Sequence, residues 1–273
     1  GTSQRVTQNT LFPCGPVKTH SPLRHASWPP EAHPQAQVQL LRHASWSVAS
    51  SSTSTTSVTP ASFGGGACGK KEETTIAEVV KPLGYATACF GKWHLGHREP
   101  FLPTRQGFDE YEGIPYSNDM WPGHPESPKA WPRLPWYGAD GPIEFIDDLD
   151  DQQMITRRLT DLSVDFVHRN ADRPFLLYVP HSMPHVPLAV GPEFRQSSMY
   201  GPYADVIKEI DWSVGRIREA LERQGVLDRT IFIFASDNGP WLSYGDHAGT
   251  TGGLREGKGT TFEGGVRVPM IVR

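Results

Sequence analysis

Cysteine is scarce: three residues in 273, at positions 14, 68 and 89. Three irregularly spaced thiols supply neither a disulfide framework nor a zinc site, and an odd number leaves at least one unpaired. A basic excess is missing as well. The formal net charge is −4, without the basic stripe that marks nucleic-acid binders, so no nucleic-acid partner is expected. No run approaches the ~18 consecutive apolar residues of a membrane span, and no charged-then-apolar leader opens a chain that begins with Gly1. Neither a membrane span nor a signal peptide is read. With 27 glycines and 25 prolines the composition is that of a loop-rich globular protein, which excludes coiled coil and collagen. Aspartate is the most unevenly missing residue, with none before Asp109.

That last absence divides the chain. Residues 1–71 hold six Lys/Arg and one acid, Glu31, and the remainder holds 20 Lys/Arg and 29 acids. The first segment also carries 19 Ser/Thr, a tract SVASSSTSTTSVT over 47–59, and the hexapeptide LRHASW twice, at 23–28 and 41–46. Two copies at this spacing do not make a solenoid. Residues 1–72 are therefore read as an irregular, low-complexity and aberrant segment, and residues 73–273 as the folded part.

From Thr75 the sequence reads as ordered structure. Thr75-Ile76-Ala77-Glu78 has the form of a capping box and opens a short helix that Pro82 and Gly84 limit. Residues 86–90 (ATACF) predict a buried strand, and residues 115–142, with seven prolines and Trp121, Trp131 and Trp136, predict an irregular surface excursion. Ile155, Leu159, Leu162, Phe166 and Val167 recur at helical spacing, as do Val206, Ile210, Val214, Ile217 and Leu221. Strands follow each helix, FLLYV at 175–179 and IFIFA at 231–235. The alternation implies an α/β fold with a mainly parallel central sheet flanked by helices, whose functional groups gather beyond the carboxyl ends of the strands.

Reactive side chains stand at those ends. Lys92 and His94 follow the first strand, His181 and His185 the second, Asp237 and Asn238 the third, and Gly257-Lys258-Gly259 adds another lysine. Lys92, His94, His185 and Lys258 together would make a cationic pocket for a tetrahedral anion in an acidic protein. A carboxylate beside an amide oxygen suits a hard cation such as calcium or magnesium, although two ligands do not hold it and Asp-Asn-Gly is also a turn signal. Taken singly each lysine or histidine is more often structural or solvated, and His168, His181 and His247 are read that way.

The wording of these blocks is itself distinctive. Gly84-Tyr85-Ala86-Thr87 with Gly91-Lys92-Trp93-His94-Leu95-Gly96 resembles the signature of arylsulfatase-type sulfatases of the alkaline phosphatase superfamily. Further blocks in the expected order are Gly107-Phe108-Asp109, Gly113-Ile114-Pro115-Tyr116-Ser117, Pro180-His181-Ser182-Met183-Pro184-His185, Ser236-Asp237-Asn238-Gly239-Pro240 and Gly257-Lys258-Gly259-Thr260-Thr261-Phe262-Glu263-Gly264-Gly265. The resemblance implies a hydrolase of sulfate esters that uses one calcium ion and a formylglycine, itself made from a Cys-x-Pro-x-Arg cysteine by a formylglycine-generating enzyme. By motif, Lys92 and His94 would orient the formylglycine hydroxyls, with His94 helping to expel sulfate. His185 would bind sulfate and protonate the leaving oxygen, Lys258 would hold the sulfate, and Ser117 would contact the substrate. Asp237 and Asn238 would be calcium ligands. The substrate would be a sulfated small molecule or glycan, and the location secreted, periplasmic or lysosomal. A catalytically inactive anion-binding relative and a phosphoester or phosphonate hydrolase are the alternatives.

The chain departs from this pattern upstream. No Cys-x-Pro-x-Arg occurs; Cys14-Gly15-Pro16-Val17-Lys18 is a near miss, and the amino-terminal Asp-Asp pair of calcium ligands has no counterpart before Asp109. Residues 1–71 read best as a coding region translated out of frame, and the catalytic domain as incomplete at both ends.

Overall fold

The computed structural model describes residues 74–124 and 126–273. The expectations for residues 1–72, Cys14 among them, lie outside that range. In chain order the elements are helix α1 (Ile76–Val80), strands β1 (Ala86–Phe90), β2 (Glu110–Glu112), β3 (Leu134–Gly138) and β4 (Gly141–Ile146), helices α2 (Leu149–Gln153) and α3 (Ile155–Asn170), strand β5 (Phe175–Tyr178), helix α4 (Pro202–Arg223), strand β6 (Ile233–Ala235), helix α5 (Glu263–Val266) and strand β7 (Met270–Val272).

The predicted capping box is present. Thr75 Oγ1 accepts from the Glu78 N–H at 3.1 Å while Glu78 Oε2 accepts from the Thr75 N–H at 2.8 Å, so α1 starts with its first amides satisfied. A single 3₁₀ turn and Gly84, in left-handed conformation at φ 84°, then end the helix.

Strand β1 is buried along its whole length. It lies between two parallel neighbours, β2 through pairs such as Cys89 with Tyr111 and β5 through pairs such as Ala88 with Leu177. A strand covered on both faces needs no polar alternation, which accounts for the continuous run ATACF. Ala86, Ala88 and Phe90 face Ile155, Leu159 and Phe166 of α3. Cys89 faces the other way, into a cluster with Ala77 of α1, Trp93 and Phe108. Helix α4 packs behind α3, and the buried hydroxyls of Thr160 and Ser213 meet across them at 2.6 Å. The one polar residue of β1 is also satisfied. Thr87 Oγ1 donates to the Gly107 carbonyl at 2.8 Å, and the Thr87 N–H donates to Asp109 Oδ2 at 3.0 Å. The fold is α/β with a parallel sheet flanked by helices, as the periodicity implies.

Two expectations are corrected. The strand predicted over 231–235 does not join the parallel sheet among the described residues. Strand β6 pairs antiparallel with β7, Ile233 opposite Val272 and Ala235 opposite Met270. An apolar run marks a strand but not its partner, and the apolar run at 268–272 folds back onto it after α5; Ile231 and Ile233 remain exposed. The excursion over 115–142 is likewise neither irregular throughout nor superficial. It buries Tyr116, Met120, Trp121, Leu134 and Trp136, and it contributes β3 and the start of β4 to an antiparallel hairpin. Its aromatic residues join the core against α3, where they outweigh the proline content that suggested a loop.

Candidate active site

The candidate site begins where β1 runs out. Gly91 continues the strand at φ 147°, and a Cβ there would lie 2.1 Å from the Pro180 carbonyl oxygen. On the other side a Cβ on Gly113, φ 152°, would lie 2.1 Å from the Gly91 carbonyl oxygen. Only glycine permits three backbones to come this close. The approach lets the next amides be shared between neighbours. Lys92 N–H donates to Pro180 O at 2.8 Å, Trp93 N–H to Ile114 O at 3.0 Å and His94 N–H to Pro115 O at 3.0 Å. Trp93 is buried against Phe108 and donates from Nε1 to Phe101 O at 2.8 Å. With Trp93 fixed inward, Lys92 and His94 are delivered on either side of it. His94 is held at φ 56°, an uncommon conformation for a residue with a Cβ and one that concentrates at functional sites.

The segment after β2 supplies Ser117 and Asp119. Asn118 anchors it by donating to Gln152 Oε1 of α2 at 3.1 Å and to Pro187 O at 3.2 Å, which ties it to the segment carrying His185. His185 Nδ1 lies 2.7 Å from the Val186 carbonyl, 3.4 Å from Ser117 Oγ and 4.0 Å from Asp119 Oδ1. A carbonyl only accepts, so Nδ1 carries the hydrogen and the neutral ring presents the Nε2 lone pair elsewhere. Asp119 Oδ1 is buried and has no hydrogen-bond partner.

A third segment brings Asp237, Asn238 and Lys258. A Cβ on Gly239 would stand 1.7 Å from Gly264 O, so the turn after β6 lies directly on the residues preceding β7. Lys258 N–H donates to Pro240 O at 2.9 Å, and Lys258 Nζ lies 4.9 Å from the centre of the Trp241 ring.

The charges of these segments act on one another. Burial lowers the Lys92 pKa, Asp237 raises it, Lys258 lowers it and Asp119 raises it. Lys258 is likewise lowered by burial and supported by Asp237 and Asp119. His185 is pushed down to about 4 by burial and by the charges of Lys92 and Lys258. His94, exposed as a residue, is also lowered to about 4, by desolvation of its ring first and then by Lys92 and His185. Lys92, His94, His185 and Lys258 thus form one electrostatic cluster, with Ser117 in contact with it and Asp119 and Asp237 as its counter-charges. His181 stands apart: buried, lowered to about 4 by desolvation alone, with Nε2 3.5 Å from Ser213 Oγ of α4. His168 and His247 are exposed.

Such a cluster can hold a tetrahedral anion and move a proton. A family model described as Sulfatase matches residues 42–273. The chain belongs to the sulfatase family. Arylsulfatase A of Homo sapiens is 36% identical over 217 residues, covering 73% of this chain and 42% of that protein. N-acetylgalactosamine-6-sulfatase of Homo sapiens is 36% identical over 207 residues, covering 73% of this chain and 39% of that protein. Among solved structures, the PsFucS1 sulfatase from Pseudoalteromonas sp. aligns with a TM-score of 0.68 at 31% identity, covering 74% of this chain and 45% of that one. The chain spans less than half the length of these relatives, and its fold is the corresponding part of the alkaline phosphatase-like sulfatase fold.

Sulfatases in general work with calcium and a formylglycine. The donors among the described residues do not complete either arrangement. Asp237 is exposed, and Asn238 uses its Nδ2 in a 2.9 Å hydrogen bond to Gly239 O, leaving one carboxylate and one amide oxygen for a cation that takes six to eight. Among the described residues no group of three or more His, Cys, Asp or Glu is placed to hold a metal ion. Cys89, the one cysteine among the described residues, is fully buried, and burial pushes its thiol pKa far up, the opposite of a nucleophile's environment.

Sequence reasoning missed Asp119, Trp241 and Tyr244. Asp119 lies two residues beyond Ser117, and Trp241 directly follows the Ser236–Pro240 block, so adjacency to a recognised motif was their one available signal.

Proposed function

We propose that this chain carries the sulfate-binding and proton-transfer part of a sulfate monoester hydrolase. The supporting observation is that Lys92, His94, His185 and Lys258, drawn from three separate segments, stand close enough to act on one another's charge in a protein of net negative charge. Lys92 and Lys258 bind the sulfate oxygens, Ser117 contacts the group beside them, and His185 gives its proton to the leaving oxygen while His94 accepts one on the opposite side. The overall reaction adds water across the sulfur–oxygen bond of the ester and releases an alcohol and sulfate.

The low His185 pKa fits this cycle. In the empty crevice two ammonium groups oppose its protonation; a bound sulfate offsets them, so the imidazole gains its proton when the ester is seated. Asp237 and Asn238 are the two oxygens offered to a hard cation. A formylglycine-generating enzyme is a partner only where a maturation cysteine exists. The substrate class is a sulfated small molecule or glycan, and the compartment is that of the family, secreted, periplasmic or lysosomal.

The test is hydrolysis of a generic aryl sulfate by the chain co-expressed with a formylglycine-generating enzyme and supplied with calcium. Turnover lost in Lys92→Ala supports the reading. Binding of the ester without turnover would reduce the reading to its anion-binding part, and a folded chain that binds no sulfate ester would overturn it.

A further inference from the structure

We propose that Trp241, backed by Tyr244, forms the subsite for the organic half of the ester, an aromatic platform that selects sulfates of cyclic alcohols, phenolic or pyranose, over linear alkyl sulfates. This rests on the sulfate-ester reading of the crevice. Trp241 touches both groups assigned to the ester end of that site. Its ring centre lies 5.6 Å from that of His185, and Lys258 Nζ stands 4.9 Å from it. With 36% of the residue exposed beside these two groups, the indole offers aromatic surface that a bound organic group can cover.

The platform is rigid. Tyr244 packs edge-on at 4.7 Å with rings inclined by 70°, and its N–H donates to Trp241 O at 3.1 Å. The Lys258 N–H donates to Pro240 O at 2.9 Å, which couples the indole's backbone to that of the lysine. Leu242, also exposed, extends the apolar surface. With Lys258 and His185 engaging the sulfate and its bridging oxygen, the organic group emerges beside the indole. A ring offers the indole a flat face or a row of polarised C–H bonds over one contact area, whereas a short linear chain covers less of it and keeps more torsional freedom.

Calorimetric titration of the chain tests this with inorganic sulfate, ethyl sulfate, phenyl sulfate and galactose 6-sulfate. The three esters carry the same monoanionic sulfate group, so the ratio of ring-bearing to linear ester affinity isolates the platform from the anion pocket. A ring ester is expected to bind roughly three- to tenfold more tightly than ethyl sulfate, the size of one aromatic contact. Trp241→Ala should bring that ratio close to one and Trp241→Phe should keep most of it. The larger of the phenyl and galactose margins identifies the source of the ring. Equal binding of linear and ring esters by the unaltered chain, or a ratio that survives Trp241→Ala, overturns the platform while leaving the sulfate reading intact. A chain that binds neither inorganic sulfate nor any ester overturns both.

Discussion

Asp119 is the residue whose environment most needs a function. Its Oδ1 is buried without a hydrogen bond, 4.0 Å from His185 Nδ1, and its charge acts on Lys92, His94 and Lys258 as well. A carboxylate left bare inside a protein is costly unless cations compensate it, and here the Lys92 and Lys258 ammonium groups do. Asp119 therefore acts as a positioning residue that keeps the cluster from expelling its own charge. Titration of the histidine C2 protons by NMR checks the sign. His185 should titrate near pH 4. Asp119→Asn removes a group that favours the imidazolium and should lower that midpoint further, whereas Lys258→Met removes a repelling charge and should raise it. A midpoint that moves the same way in both variants would sink this assignment. Gly91 permits a second prediction. A methyl group 2.1 Å from the Pro180 oxygen at a positive φ cannot be absorbed by a side-chain rotation, so Gly91→Ala should cost about 3 kcal/mol or more in urea unfolding and displace Lys92 and His94 with the strand end.

Single elements are held to the sheet by small polar locks, and one of them is pH-sensitive. Asp109, the first aspartate of the chain, accepts from the Thr87 N–H at 3.0 Å and pairs with Lys81 Nζ at 2.7 Å, joining β2 to β1 and to the turn after α1. Partial burial works to raise its pKa, but the Lys81 and Thr87 hydrogen bonds outweigh this and hold it below the ordinary carboxylate value. A depressed folded-state pKa contributes stability that is present above the unfolded value and is lost as pH falls through the folded one. Asp109→Asn should thus cost about 1 kcal/mol at neutral pH, since the pair is partly exposed and screened, and the gap to the parent should close as the pH falls below 4. Denaturant midpoints across that range decide it; a gap independent of pH would mean that packing, not charge, is the contribution. What the sequence made legible follows the same scale. Helices α3 and α4, the capping box at Thr75 and the buried strand β1 were readable because each is written in local periodicity or a local cap. The partner of β6 and the burial of Trp121 and Trp136 were not, because both depend on segments distant in sequence meeting in space. Of the candidate site, Lys92, His94, His185 and Lys258 were singled out as reactive groups beyond strand ends or in a glycine-flanked turn, and Ser117 through its motif block. Asp119 was not, because a single aspartate in a loop carries no pattern and only its bare oxygen beside His185 gives it meaning.

At the scale of the whole molecule the site is a junction. Lys92 hangs on the end of β1, His185 on the segment between β5 and α4, and Lys258 on the segment that leads into α5 and β7, and no one of these holds the others by a side-chain hydrogen bond among those formed around the cluster. Their shared ligand is then also a structural tie. The Lys92 and Lys258 ammonium groups repel each other and oppose protonation of His185, and an anion seated among them offsets both effects at once for all three segments. Ligand that binds only the folded state stabilises it by mass action, about 2.7 kcal/mol at one hundred times its dissociation constant. For a folded part of this size that is a rise in melting temperature of roughly 5–10 °C. Sulfate also stabilises proteins without specific sites by exclusion from their surfaces, so the raw shift is not the measurement. The measurement is the difference between the parent chain and Lys258→Ala, each scanned in sodium sulfate and in sodium chloride of equal ionic strength. Exclusion acts on both proteins alike and cancels, whereas specific seating survives only in the parent. A sulfate-specific shift confined to the parent means that the three segments close on one anion. Equal shifts in the two proteins would mean that the lysines and histidines are neighbours in the fold without sharing a ligand.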